Sequence, residues 1–225
     1  MTMVDNKLIG LYGGAFDPIH KAHILIAQNC VKIIGLNKII FIPTGNSPNN
    51  KIMSAHHHRI EMLKIACKDN LFEFSDFEIN EYLEQKKISY TINTLKHFKK
   101  KTNSTLLFIL GTDAFSTITS WHKWNEILSY CHLVLIERGR KKSDIEKMSP
   151  EVQEFFRDNI ANDVNDLRKN NYGKIYLIPM SIFQESSSEI RDRSMMNLDI
   201  KNFLPKTIRD YIKKNRLYKV PGHNK

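Results

Sequence analysis

Apolar residues gather in short runs separated by longer amphipathic stretches along most of the chain. The run KLIGLY at 7–12 ends in Gly13-Gly14, and Ile24, Ala27, Val31 and Ile34 follow at helical spacing before Gly35. That order predicts a strand, a glycine turn and a helix. NKIIFIP at 37–43 predicts a second buried strand, closed by TGNSPNNKIM, whose Pro, Gly and Asn content excludes regular structure. Ser54 is placed to N-cap a helix through HHHRIEMLKIACKD, FEFSDFEI at 72–79 alternates as a strand, and Ser89 is placed to open a helix through TINTLKHFKKK. TLLFILG (105–111), HLVLIE (132–137) and GKIYLIP (173–179) predict three further strands, and residues 205–215 a closing helix with Pro205 in its first turn.

Strands alternating with helical stretches imply crossover connections and hence an α/β fold, a doubly wound, mostly parallel sheet with helices on both faces. Ligands of such sheets bind beyond the carboxyl ends of the strands, which directs attention to the loops after Tyr12, Pro43, Gly111, Glu137 and Pro179. The polar segment at about 139–172, helical around EVQEFF, is too poor in apolar residues for a core of its own. It reads as an excursion from a single domain spanning 1–220, with 221–225 a frayed tail and no internal repeat.

Composition narrows the class. With 41% hydrophobic and 26% charged residues and only 9 Gly and 7 Pro, the chain is neither disordered nor of low complexity. No window approaches ~18 consecutive apolar residues and the start lacks a basic segment followed by an apolar one, so a cytoplasmic protein without membrane contact is expected. Cys30, Cys67 and Cys131 are far apart and in no CxxC spacing, and read as buried thiols rather than a disulfide or zinc framework. The net charge of +10 favours acidic partners. Because the excess of Lys, Asn and Ile is of the kind AT-rich coding produces, that charge does not select a nucleic acid, and none is expected as partner.

Chemistry concentrates in Gly13-Gly14-Ala15-Phe16-Asp17-Pro18-Ile19-His20-Lys21-Ala22-His23. Two glycines let the backbone turn sharply and approach a phosphate, and the following helix start offers unpaired N–H groups. His20 and His23, three apart, share one helix face and can converge on an anion at the turn. Ser186-Ser187-Ser188-Glu189-Ile190-Arg191 forms a second cluster of hydroxyls and N–H groups opening a helix, suited to the outer phosphates of a nucleotide. His56-His57-His58 cannot all face one metal ion, since consecutive helical residues diverge by ~100°. They read as a solvated helix opening, and Lys99-Lys100-Lys101 as a basic helix end.

GGAFDPIHKAH resembles the GGxFDPxHxGH signature of the nucleotidyltransferase superfamily with the HxGH motif, and the segment from Ser186 to Arg191 is similar to its second signature, ISSTxxR. Ile88-Ser89-Tyr90-Thr91 with Thr94-Leu95, and Gly111-Thr112-Asp113 with Trp121, resemble segments of bacterial nicotinate-nucleotide adenylyltransferases; this resemblance runs from about Lys7 to Tyr218. It implies a Rossmann-like nucleotidyltransferase fold and transfer of AMP from ATP to nicotinate mononucleotide, with pyrophosphate released and Mg²⁺ carried on ATP. His20 and His23 are the implied catalytic pair. Gly13, Gly14, Ala15, Phe16, Gly111, Asp113, Ser186, Ser187, Ser188 and Arg191 join them as implied ATP-binding residues. Asn50, Lys51, Thr91, Trp121, the backbone of His122, and Arg138 are implied to bind the mononucleotide, Trp121 by stacking on the pyridine ring. Trp124 is expected in the core and Asp17 in a structural role. The chain departs from the family pattern at Ala22, Asn50, Glu185 and Ser188. Two alternatives stay open: the same reaction with nicotinamide mononucleotide or another phosphate acceptor, and a non-catalytic module binding nucleotides or RNA. The oligomeric state is also open.

Overall fold

The computed structural model describes residues 7–48, 52–68, 70–138, 144–180 and 186–219. β1 (Leu8–Gly14) is followed by α1 (Lys21–Cys30), which continues into one π-helical turn at Val31–Gly35, and then by β2 (Lys38–Pro43). After α2 (His56–Ala66) come β3 (Phe72–Phe74), α3 (Phe77–Gln85), α4 (Thr91–Lys101) and β4 (Thr105–Gly111). α5 (Thr112–Phe115) and two 3₁₀ segments, Ile118–Ser120 and Trp124–Ser129, lead to β5 (His132–Arg138). A 3₁₀ turn at Asp144–Lys147, α6 (Pro150–Asn159) and α7 (Val164–Lys169) precede β6 (Ile175–Met180), and α8 (Ser187–Met195) and α9 (Lys206–Lys214) follow it.

The sheet order is β3-β2-β1-β4-β5-β6, and every neighbouring pair is parallel. This is the expected doubly wound α/β arrangement. The chain winds outward from β1 in one direction and from β4 in the other, so a crevice opens beyond the carboxyl ends of these two strands. Alternation with period two supplies a core on each face. Leu8, Tyr12, Phe41, Ile109 and Ile136 face α1, α2, α8 and α9 through Ile26, Met62, Ile190 and Ile208. Ile9, Leu11, Ile42, Phe108 and Leu135 face the other way, onto Leu95 of α4, Phe115 of α5 and Phe156 of α6. Covering both faces makes the middle of each long strand a continuous apolar run, which is why these strands stand out in the sequence.

Several local expectations are corrected. The alternation of FEFSDFEI continues as a strand only to Phe74, and Phe77 already belongs to α3. The Ser75-Asp76 pair interrupts it: Ser75 Oγ accepts the Phe77 N–H at 3.4 Å, and the Asp76 carbonyl receives the first helical bond, from Asn80. Ser54 does not cap α2, whose N-cap is Ala55; its N–H is used on Asp17 instead. Ser89 likewise lies one residue before the N-cap of α4, Tyr90. Of the three consecutive histidines only His57 is exposed; His56 Nε2 lies 3.0 Å from the Gly45 carbonyl and His58 Nδ1 2.9 Å from the Tyr211 hydroxyl. The polar excursion contains a second helix, α7, and contributes buried Ile145, Val152, Phe156 and Leu167 to the two cores. We propose on that ground that it folds with the single domain; residues 221–225 lie outside the described residues. Cys30 and Cys131 are fully buried and Cys67 half-buried; burial pushes the Cys30 and Cys67 thiols each up to about 12.

His132 ties β5 to this excursion. The ring has no exposed surface, and the Lys174 N–H donates to its Nδ1 at 3.0 Å. Nδ1 therefore carries no proton, and Nε2 donates to the Asn170 carbonyl at 2.9 Å. Burial pushes its pKa below the ordinary 6.5. In the window below 6.5 the unfolded chain binds the proton and the folded protein does not, so stability is whole above that value and is lost as pH falls through the lower folded pKa. Denaturant unfolding between pH 8 and 5 is expected to show this decline, and His132→Gln, whose amide keeps one acceptor and one donor, should flatten it by up to about 1.4 kcal/mol per pH unit. An unchanged slope in that variant would show that His132 does not set it.

Candidate active site

A cavity of about 430 Å³ fills the crevice. Its floor is the end of β1, Tyr12, Gly13 and Gly14, with Phe108 and Leu110 of β4; Gly111, Asp113 and Ala114 form the side that continues into α5. Gly13 has its glycine for a steric reason, since a Cβ there would stand 3.0 Å from the Phe108 ring. Thr44, Ser47 and Pro48 from the loop after β2 close one flank, and Ser89, Tyr90 and Thr91 at the start of α4 close another. Trp121 and His122 complete the wall, with the His122 ring lying 4.5 Å from that of Tyr90.

The first motif is placed by β1 and α1 and divided by burial. His20 is the N-cap of α1 and only 2% exposed, whereas His23 lines the cavity. Their ring centroids are 3.8 Å apart with 32° between planes, and the His20 N–H donates to His23 Nδ1 at 3.3 Å. With Nδ1 accepting, the His23 ring proton sits on Nε2. His20 thus backs His23 rather than lining the cavity beside it. Ala22, the departure from the family's glycine, is buried in α1. The Phe16 ring is buried against Tyr12, His23 and Phe41, and the Ala15 carbonyl accepts from Arg59 at 2.9 Å. Of these two, then, only backbone is left to meet a nucleotide.

The second motif lies behind the first. Ser186 Oγ caps α8 by accepting the Glu189 N–H at 3.1 Å, and Ser187 Oγ donates to the Pro18 carbonyl at 3.1 Å. Arg191 donates through Nη1 to the Asp17 carbonyl at 2.8 Å and through Nη2 to Ser188 Oγ at 3.2 Å. Ser187 and Arg191 thus brace the Asp17–Pro18 turn, and none of the four residues lines the cavity. Thr91, Trp121, His122, Gly111 and Asp113 do line it, while Trp124 packs edge-on to Phe155 at 5.1 Å. Asn50, Lys51, Glu185 and the side chain of Arg138 lie outside the described residues.

Sequence patterns do not point to Glu78. It lines the cavity from α3 and accepts from Thr94 Oγ1 at 2.6 Å. Burial pushes its carboxyl above the ordinary carboxylate range, opposed by hydrogen bonds from Thr94, Ser89 and the Gly45 backbone and by the Arg59 charge. Ser89 Oγ also accepts the N–H groups of Gly45 and Asn46, both at 3.1 Å. The loop after β2, α3 and the start of α4 are thereby joined in one polar network. Gly45 must be glycine in it, because a Cβ would lie 2.0 Å from the Glu78 carbonyl oxygen.

Comparison with known proteins agrees with this geometry. The cytidylyltransferase-like family model matches residues 11–193. A relative named "Probable nicotinate-nucleotide adenylyltransferase" in Buchnera aphidicola subsp. Acyrthosiphon pisum (strain 5A) is 37% identical over 218 residues, 94% of this chain and 97% of its own. The protein of the same name in Pectobacterium atrosepticum is 32% identical over 94% of this chain and 99% of its own. Among solved structures, the Plasmodium falciparum nicotinic acid mononucleotide adenylyltransferase complexed with NaAD superposes with a TM-score of 0.71 at 26% identity, covering 94% of this chain and 97% of that one. With the family's two motifs in contact at the switch point of the sheet and relatives of this kind matching nearly end to end, the chain belongs to the cytidylyltransferase-like family and, within it, to the nicotinate-nucleotide adenylyltransferases.

Proposed function

We propose that this enzyme transfers the adenylyl group of ATP to nicotinate mononucleotide, a step of NAD biosynthesis. The observation that carries the reading is one cavity lined by His23 and the Gly13-Gly14 turn together with Trp121, Thr91 and His122. An oxygen of the mononucleotide phosphate attacks the α-phosphorus of ATP, and the bond from that phosphorus to the bridging oxygen of pyrophosphate breaks. The nucleophile is already ionised at neutral pH, so no general base is required, and no covalent enzyme intermediate forms. Catalysis rests on alignment and on charge stabilisation at the α-phosphoryl oxygens.

His23 supplies the donor aimed at those oxygens, and His20 holds it through the bond to Nδ1 and the face of its ring. Arg191 keeps Nη1 on the Asp17 carbonyl while Nη2, on the exposed side with Ser188, is available to the outer phosphates with the hydroxyl proton of Ser186. Mg²⁺ enters with ATP as part of that substrate. At the acceptor end Trp121 offers a ring face to the pyridine, and Thr91 with the His122 backbone offers donors to its carboxylate. Asn50, Lys51 and Arg138 are assigned to the mononucleotide on the family resemblance alone. No described helix is long and apolar enough to cross a membrane.

Pyrophosphate release with ATP and Mg²⁺, comparing nicotinate with nicotinamide mononucleotide, is the direct test. The acid is expected to react and the amide to lag, because donors built for a carboxylate are left unpaired by an amide. Equal release would make the enzyme dual in specificity, and no release with either would overturn the reading. His23→Ala is expected to lower kcat about 10²- to 10³-fold. Near-normal turnover in that variant would remove His23 from the chemistry.

A further inference from the structure

The chain returns to its first motif from its far end. Beyond α9, Arg216 and Tyr218 both adopt left-handed φ, 51° and 59°, and the Leu217 N–H donates back to the Ile212 carbonyl at 3.0 Å. This turn lays Tyr218 on the core and directs its hydroxyl to Asp17 Oδ1, 2.7 Å away. Oδ2 of the same carboxylate accepts the Ser54 N–H at 2.9 Å, and Asp17 is 1% exposed. Phe16, immediately before it, is itself left-handed at φ 48°. A bulky residue is disfavoured there by its Cβ, and such a conformation persists only where the surroundings over-determine it. Two aromatic residues in that region thus stand one on each side of the same hydrogen bond.

Asp17 is three residues from His20, whose N–H holds His23 Nδ1. The turn between them is gripped at its carbonyls by Arg59 on Ala15, Arg191 on Asp17 and Ser187 on Pro18. The Asp17 side chain is gripped by a side-chain donor at Oδ1, the Tyr218 phenol. Burial pushes that phenol above its ordinary pKa, so it stays a neutral donor. A rotation of the turn would break the His20–His23 bond and free the His23 ring to change its proton-bearing nitrogen.

We propose that Tyr218 is a positioning residue of the reaction: through Asp17 it fixes the turn that presents the His20–His23 pair to the α-phosphoryl group. The inference rests on the adenylyl-transfer reading above. Its test is a double-mutant cycle of Tyr218→Phe and Asp17→Asn, following kcat, KM for both substrates, the melting temperature and the nitrogen NMR spectrum of the histidine rings. Tyr218→Phe keeps the ring and its packing. It is expected to lower kcat about 10-fold with KM for the mononucleotide changed less than about twofold, and the double variant should be no slower than the slower single one. In the spectrum, His23 should bear its proton on Nε2 in the wild type and divide it between both nitrogens in Tyr218→Phe. Additive rate losses, a rate loss accounted for by unfolded protein, or an unchanged His23 spectrum in Tyr218→Phe would overturn the proposal. The spectrum needs no turnover, so a wild type that releases no pyrophosphate would refute adenylyl transfer and leave the positioning test standing.

Discussion

Arg59 has no exposed surface, and main-chain carbonyls take up its guanidinium. Nε donates to Ser54 at 3.3 Å, Nη1 to Ala15 at 2.9 Å and Nη2 to Thr44 at 2.8 Å. Removing a cation from water costs several kcal/mol, and that cost is offset only where geometry and opposite charge are both good. Here the planar fork matches three carbonyls, and the Asp17 and Glu78 carboxyls supply the opposing charge. The loop after β1, the loop after β2 and the approach to α2 are held to one point. Asp17 lies buried behind the first motif and Glu78 in the cavity wall shared with Ser89 and Thr91, so one buried cation ties the first motif to the opposite wall.

The same cation marks where sequence reasoning stops. Strands buried on both faces are continuous apolar runs, which is why β1, β2, β4, β5 and β6 were legible within a residue or two. β3 was not, because a three-residue edge strand followed at once by a helix start has too few positions for its period to declare itself. Within the site, glycines after a strand and histidines at helical spacing have a local physical meaning and could be read. Arg59 and Glu78 sit in amphipathic helices among other charged residues, and nothing in HHHRIEML or FEFSDFEI separates a charge that turns inward from one that faces water. That separation is tertiary: it appears when loops 44 and 15 residues from Arg59 in sequence, at Ala15 on one side and Thr44 on the other, bring main-chain carbonyls to the same point as the Asp17 carboxyl.

The two motifs illustrate a related limit. Each could be recognised as a helix opening with anion-binding character, and their 170-residue separation said nothing of how they meet. In the fold they bond directly, Ser187 to the Pro18 carbonyl and Arg191 to the Asp17 carbonyl. Part of the second motif's hydrogen-bonding capacity is therefore spent on the geometry of the first. Ser188 and the outer nitrogen of Arg191 remain on the open side. Coupling of this kind explains how Ser187 and Arg191 bear on the first motif without lining the cavity.

Glu78 raises an electrostatic question, since a carboxyl group lines the cavity proposed to receive two phosphorylated molecules. Burial moves its proton affinity upward, and the hydrogen bonds from Thr94, Ser89 and Gly45 oppose that rise without cancelling it. Each of those bonds orients a piece of wall: Thr94 belongs to α4, Ser89 precedes it, and Gly45 belongs to the loop after β2. A neutral amide in place of the carboxyl would accept fewer bonds and would face three donors with one oxygen. A bare carboxylate without those donors would repel the substrates and be poorly solvated. The network meets both demands by surrounding the carboxyl with donors that are themselves structural, with the Arg59 cation behind them. On the cavity side Glu78 shares its wall with Ser89, Tyr90 and Thr91, so under the proposed reading the carboxyl acts chiefly through where it puts them.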